Sequence, residues 1–313
     1  MNLLSKILLI LLVLPNSILI SQHLVDIEEN KSWCRLNCDP SIHTQNTELV
    51  YKFIQLDSVK QELKSFKQKK FPLRFVHVGP KPFATENNSR KILDEVVHEL
   101  NQSFAEVKFH FHIEDIEFLE SELTLEDLSN NRYDLYDSFS SENDKSDIIT
   151  VYILNHKNAF CKVSDTSISC AKTGGFSYIL SDRANNVVLS HFDLRDPKIV
   201  AHEFGHFFGL YHTFEEQLFG KDAFESEDCY IVGDRICDTP PDPGSVFEVH
   251  VNYTRCEMFG FENTDGHEYK PLIENYMSYY KPCYLKKFSF SSEQVMIMQL
   301  ASQLNIRNKL NRN

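Results

Sequence analysis

Two imidazoles four positions apart, His202 and His206, a carboxylate at Glu203 and a third imidazole at His212 are the residues of this chain best suited to chemistry. Side chains four apart on an α-helix lie on one face, one turn above the other. Both rings can then aim a nitrogen at one point about 2.0–2.1 Å from each, as a zinc ion requires. Gly209 tolerates the left-handed backbone that ends a helix, so the chain can turn back and bring His212 in from a third direction. Three imidazoles leave one tetrahedral position for water, and an open position separates a catalytic zinc site from a closed structural one. Zinc lowers the pKa of that water toward roughly 7. Glu203, one step round the helix, can take its proton as the water attacks a polarised carbonyl. Five such fixed positions arise by chance in a chain of this length with odds on the order of one in ten thousand. An ordinary core helix with incidental histidines does not explain a histidine three residues past a helix-ending glycine.

The elements around this motif are also legible. Asp196-Pro197 predicts a helix start, an N-cap carboxylate followed by proline at the first helical position. Residues 73–78 read as a strand, and Ile92, Leu93, Val96, Val97, Leu100 and Phe104 recur at helical spacing after a Ser89 cap. Residues 107–113 alternate, with Phe109, Phe111 and Ile113 on one face and His110 and His112 on the other; a half-exposed strand explains those two histidines. Residues 148–154, 176–180 and 187–191 are further strands, and Ser291 with Gln294 forms a capping box for a helix over 291–300. Asn275-Tyr276-Met277-Ser278-Tyr279 supplies the Met-turn that the metzincin pattern places downstream, with Met277 as an apolar floor to the three imidazoles.

His202 to His212 continuing into Thr213-Phe214, the stretch Gly233-Asp234-Arg235-Ile236-Cys237-Asp238-Thr239-Pro240, the Met-turn, Cys283 and residues 288–294 together resemble the pappalysin (cytophagalysin) metzincins. The likeness runs over roughly residues 71 to 300 and leaves out the first seventy residues and an acidic insertion. It implies an α+β zinc endopeptidase: an upper subdomain of twisted mixed sheet plus two helices, an irregular disulfide-tied lower subdomain, and substrate between them. It implies that Tyr279 hydrogen-bonds the oxyanion of the tetrahedral intermediate. It also nominates Asp234, the Ile236 carbonyl and Thr239 as calcium ligands, although on chemistry alone the stretch reads equally well as an Asp- and Pro-rich turn. The same likeness favours Cys237 with Cys283 and Cys229 with Cys256, where spacing alone leaves all three pairings open.

The 313 residues carry 32 basic against 45 acidic groups, a net −13, which argues against a broad grip on nucleic acid or anionic lipid. Between residues 114 and 147 twelve acids face only Arg132 and Lys145, which reads as a solvated surface insertion. Lys6 before an apolar run over 7–14 reads as a secretory signal. These features divide the chain into a signal peptide (1–21), a pro-segment or solvated N-terminal extension (22–70) that lacks convincing periodicity and ends in a basic stretch, a catalytic domain (71–302, upper 71–212 and lower 213–302) and a C-terminal tail (303–313). Eight cysteines, an even number, suit an oxidising compartment. Cys161 and Cys170 are expected to close a short loop. Cys34 and Cys38 either bond to each other or supply a thiolate to the zinc until a pro-segment is removed. The expected protein is thus a secreted zinc endopeptidase acting on proteins or peptides, with no nucleic-acid partner and no membrane attachment once the signal is gone. Lys281, just past the Met-turn, disfavours basic side chains in the substrate. The alternative is a secreted zinc-binding adhesion or recognition module, against which the unliganded Glu203 speaks.

Overall fold

The computed structural model describes residues 45–79, 86–125, 127, 133–155, 160–164, 167–171, 174–181, 184–215, 229–244, 249–262 and 266–312. The expected signal peptide, Cys34 and Cys38 lie outside the described residues. No helix among those residues is long and apolar enough to cross a membrane.

A five-stranded mixed sheet organises the first two thirds of the chain, in the order β2-β1-β3-β7-β6. Strands β1 (Lys69–Val78), β2 (Phe109–Leu119), β3 (Ile149–Leu154) and β7 (Asn186–Ser190) run parallel. The short β6 (Gly175–Phe176) closes one edge antiparallel to β7. Parallel strands need crossovers, and these cover both faces, which is why β3, β7 and β1 from Phe71 on are buried without alternation. On one face Phe71, Leu73, Phe75, Val151 and Leu189 meet the helices α3 (Glu86–Ser103) and α5 (Pro197–Phe207). On the other, Val76, Val78, Tyr152, Leu154 and Val188 meet α4 (Tyr133–Asn143) through Tyr136. β4 (Phe160–Ser164) and β5 (Ser167–Ala171) form a hairpin in which Cys161 and Cys170 are register partners. Beyond α5 the regular elements among the described residues are a short hairpin, β8 (Val251–Asn252) with β9 (Glu257–Met258), and the helices α6 (Ser292–Ala301) and α7 (Asn305–Asn308).

Several expectations need correction. α3 begins at Glu86, so Ser89 is a buried residue inside the helix and not its cap. The expected strand over 176–180 ends at Phe176, because Leu180 takes a left-handed φ of 47° that no strand accommodates. The acidic stretch over 114–147 is docked, not merely solvated: it continues β2 and then forms α4, and its acids are used. The Asp144 carboxylate accepts from Tyr152 Oη (2.8 Å), Asn186 Nδ2 (2.7 Å) and Asn185 N (3.2 Å), and Asp137 accepts from Tyr178 Oη (2.6 Å).

The packed core also reaches beyond residues 71–302 at both ends. Residues 22–70 show no clear sequence period, yet they contain α1 (Gln45–Phe53) and α2 (Asp57–Leu63), whose Val50, Tyr51, Val59 and Leu63, with Ile54 between the helices, join the main core. Past residue 302, Leu304 and Leu310 are buried, and Arg307 is fully enclosed. Its guanidinium donates to the carbonyls of Phe207 (3.1 Å) and Ser181 (3.0 Å) and lies 3.8 Å over the Phe207 ring. A cation there meets the negative end of the α5 dipole.

His77 near the end of β1 is 5% exposed, stacks on Phe118 at 5.0 Å, and has no hydrogen-bond partner on either ring nitrogen. Burial, with His191 adding to it, pushes its pKa down to about 4, while the unfolded chain keeps about 6.5. Between those values the unfolded state binds more protons, so this contribution to stability is whole above about pH 6.5 and is lost as the pH falls toward 4. His77→Phe, which keeps the stack, is expected to flatten that acid slope. Urea midpoints at pH 7 and pH 5 measure it, and an unchanged slope would refute the assignment.

Candidate active site

α5 starts as its sequence dictates: the Asp196 carboxylate accepts from Lys198 N at 2.9 Å and Pro197 occupies the first turn. Phenylalanines hold it in place. Phe204 lies 5.1 Å from Phe111, and Phe208 lies 4.7 Å from Phe109 and 5.2 Å from Phe71, mostly in tilted or edge-on contacts. The helix ends in a Schellman arrangement around Gly209, whose φ is +103°: Leu210 N donates to Gly205 O (3.0 Å) and Gly209 N to His206 O (2.8 Å). With Arg307 on the Phe207 carbonyl, the last carbonyls of the helix are satisfied, and the chain is reversed toward His212.

That reversal brings three imidazoles together. His202, His206 and His212 form the one group of three or more metal-ligating side chains among the described residues, with their ligand atoms all within 4.8 Å of one another. Nε2 of His206 stands 3.0 Å from that of His202 and 3.1 Å from that of His212. Each Nδ1 is engaged elsewhere: His202 with the Tyr276 carbonyl (2.8 Å), His206 with the Leu210 carbonyl (2.7 Å) and His212 with Glu215 Oε2 (3.1 Å). Carbonyls and carboxylates only accept, so each Nδ1 carries the hydrogen and each Nε2 turns a lone pair inward. Three lone pairs at such separations repel unless a cation lies between them. Tetrahedral bonds of about 2.0–2.1 Å place donor nitrogens about 3.4 Å apart, close to what is found. Burial lowers the His202 pKa to about 3, with His212 adding to the shift, so the ring is neutral as a ligand must be. The donor set fits zinc.

Glu203 is buried beside this point, and desolvation pushes its carboxyl up to about 8. It packs so closely on the edge strand that a Cβ at Gly175 would come within 2.6 Å of its Cγ. Met277 is fully buried beneath the helix, and a Cβ at Gly205 would meet its Sδ at 2.5 Å. Only glycine at position 205 lets the turn come so near. The turn is pinned by a reciprocal amide pair, Asn275 Nδ2 to Gln294 Oε1 (2.8 Å) and Gln294 Nε2 to Asn275 Oδ1 (3.2 Å), while Asn275 Oδ1 also accepts from Met277 N (2.8 Å). The hydroxyl of Tyr279 stands 3.2 Å from His212 Nε2, at the mouth of the group.

Two residues of the site have no motif to mark them. Glu215 takes both the ring Nδ1 and the backbone N (3.2 Å) of His212. Asp242, from the proline-rich stretch, accepts from Thr213 Oγ1 (2.5 Å), Tyr280 Oη (2.7 Å) and Gly244 N (2.8 Å), and so ties the segment that carries the third histidine to the tail of the Met-turn. The nominated calcium ligands do converge. Asp234 Oδ1 is within 2.8 Å of Thr239 Oγ1, which is 2.9 Å from the Ile236 carbonyl, and Asp234 Oδ2 is buried without a partner.

The expected cysteine pairing is wrong. Cys229 bonds to Cys237 and Cys256 to Cys283, with Cα separations of 5.1 and 5.5 Å. Packing decides it: Cys256 and Cys283 share a small core with Val251, Met258, Ile273 and Tyr280, and Tyr284 N donates to Tyr253 O at 3.1 Å, which zips residues 283–284 onto the β8–β9 hairpin. Cys237 is held apart, its backbone N donating to Glu293 at the start of α6.

A family model described as Reprolysin_5, metallo-peptidase family M12, matches residues 82–240, a span that contains all three histidines and Glu203. No curated protein matches the chain. Among solved structures, one titled "Structure of a chaperone-substrate complex" is similar at 18% identity over 47% of this chain and 24% of that one, with a TM-score of 0.30; at that score it carries no argument. This chain thus spans about a quarter of that structure's length.

Glu215→Gln keeps the shape of the His212 anchor but removes its charge. A partner of this kind behind a metal-binding imidazole is worth about 10–100-fold in affinity, and zinc binding is expected to weaken within that range while the fold persists. Competition against a chromophoric chelator measures it; unaltered affinity would count against the assignment.

Proposed function

The chain belongs to metallopeptidase family M12, and on that premise we propose that it is a secreted zinc endopeptidase acting on proteins or peptides, its pappalysin likeness resting on the motifs of its own sequence. The observation that carries the reading is the convergence of three inward-facing imidazole nitrogens beside a buried carboxyl. His202, His206 and His212 would hold the ion. Zinc, when bound there, supplies Lewis acidity toward the scissile carbonyl and a water of lowered pKa.

The chain's own residues do the rest. Glu203 would accept the proton of the attacking water and pass it to the leaving amine; burial raises its proton affinity, and a cation bound beside it would draw that affinity back down and leave the carboxylate ionised to act as base. Tyr279, at the open side of the group, donates its hydroxyl hydrogen to the oxygen that gains charge in the transition state. β6 ends the sheet order and lies against Glu203, so an extended peptide laid alongside it would run past the base and the metal point. Export is supported by the two disulfides, which persist in oxidising compartments.

Purified protein is expected to digest casein, to lose that activity to a zinc chelator, and to regain it with zinc. Glu203→Ala should keep the fold and the metal yet abolish cleavage, and full activity in that variant would overturn the reading in favour of a non-catalytic zinc module. Tyr279→Phe in the same assay should lower kcat by about 10–100-fold with KM little changed.

We assign a second, structural role to the Asp234 cluster: calcium held by Asp234, Thr239 and the Ile236 carbonyl, supported by the buried Asp234 oxygen that lacks a partner. Calcium should then raise Tm for the native chain and leave Asp234→Asn unmoved. No shift in the native chain would reduce the cluster to a hydrogen-bonded turn.

A further inference from the structure

Helices α1 and α2 lie before the region that the family model matches, yet they touch the site at its most sensitive point. The Tyr51 hydroxyl donates to the Gly209 carbonyl at 3.2 Å, and its ring lies 5.4 Å from that of Tyr211. Gly209 is the left-handed residue at which the chain reverses, and Tyr211 immediately precedes the third histidine. Arg235 closes the group, its guanidinium bonded to Glu48 of α1 and lying 5.9 Å over the Tyr211 ring. A second tie joins α2 to α6: Lys60 donates to Glu293 at 2.6 Å and to Tyr230 at 3.0 Å, and Glu293 also accepts from Cys237 N at 2.9 Å. Glu293 follows Ser291, whose capping box includes Gln294, the residue that pins the Met-turn.

We propose that residues 45–63 are a permanent brace of the metal site, retained in the active protein, and that Tyr51 is a positioning residue that fixes the Gly209–Tyr211 turn where His212 meets the other two histidines. This rests on the zinc peptidase reading. The helix end holds this turn through Leu210 N on the Gly205 carbonyl and His206 Nδ1 on the Leu210 carbonyl, and α1 adds the Tyr51 hydroxyl on the Gly209 carbonyl. The turn's conformation is one that side-chain-bearing residues avoid, so its stability comes from what grips its carbonyls and its neighbouring ring. The basic stretch over 64–70 follows the same logic. Lys69 already belongs to β1, its N bonded to Lys108 O (3.0 Å) and its ammonium to Ser302 O (2.5 Å) and Asn308 Oδ1 (3.0 Å). A cut at Lys69 opens the sheet, and a cut at the exposed Lys64 or Lys67 leaves α1 and α2 docked through their buried side chains. Removal of a pro-segment therefore falls before residue 45.

The test uses the full chain. Tyr51→Phe deletes one hydrogen bond and keeps the ring, and is expected to bind zinc about three- to tenfold more weakly in chelator competition. Val97→Ala, in α3, serves as a control that lowers Tm without touching the turn, and should bind zinc as the native chain does. Mass spectrometry of the active secreted protein should find residues 45–63 present. Native affinity in Tyr51→Phe, loss of zinc in both variants in step with Tm, or an active form lacking residues 45–63 would each overturn the brace alone. A native chain that binds no zinc would overturn the peptidase reading and the brace with it.

Discussion

Everything in this molecule answers to one demand: three imidazole lone pairs must face one another within 4.8 Å, two of the pairs about 3 Å apart, without a covalent link between them. Each ring is turned by a single anchor behind it. Two of those anchors are backbone carbonyls from different parts of the chain, one in the Met-turn and one just past the end of the zinc helix, and the third is a carboxylate. The arrangement is unsymmetrical in charge. Of the three anchors only Glu215 is an acid, a partner that would offset part of a bound ion's charge.

The sheet supplies stiffness on one side of that demand and the disulfides on the other. α5 cannot rotate without displacing Phe204 and Phe208 from the ring cluster on β1 and β2, and it cannot slide because glycines at 175 and 205 have already let its neighbours approach as near as backbone permits. Below it the chain has few ladders to pair with. There Asp242 joins Thr213 to Tyr280, and two cystines tie short loops, next to the turn that holds the Tyr279 hydroxyl 3.2 Å from His212 Nε2.

What the sequence disclosed was what local spacing can encode. The helix from its aspartate cap to its glycine stop, the three histidines and the Met-turn all lie within windows where periodicity and conformational preference act. The residues it hid are those whose meaning depends on a distant partner. Glu215 sits in plain view three positions past His212, but nothing in its surroundings distinguishes it from a surface acid. Tyr51 acts on a residue 158 positions away and Arg307 on one 100 positions away, separations over which a linear pattern carries no signal. The cystine pairing went wrong for the same reason, since it is set by which loops share a small core. α1 and α2, of nine and seven residues, are too short to establish a period against background, and tertiary burial makes them helices.

Gln294 closes the cap of α6 and grips Asn275 at the same time. A single amide thereby makes the first turn of a C-terminal helix and the methionine floor one cooperative unit. Fraying of that turn releases the floor, and the floor's departure frees the carbonyl that orients His202. Order in that helix turn and order in the imidazole cluster are thereby coupled through one side chain.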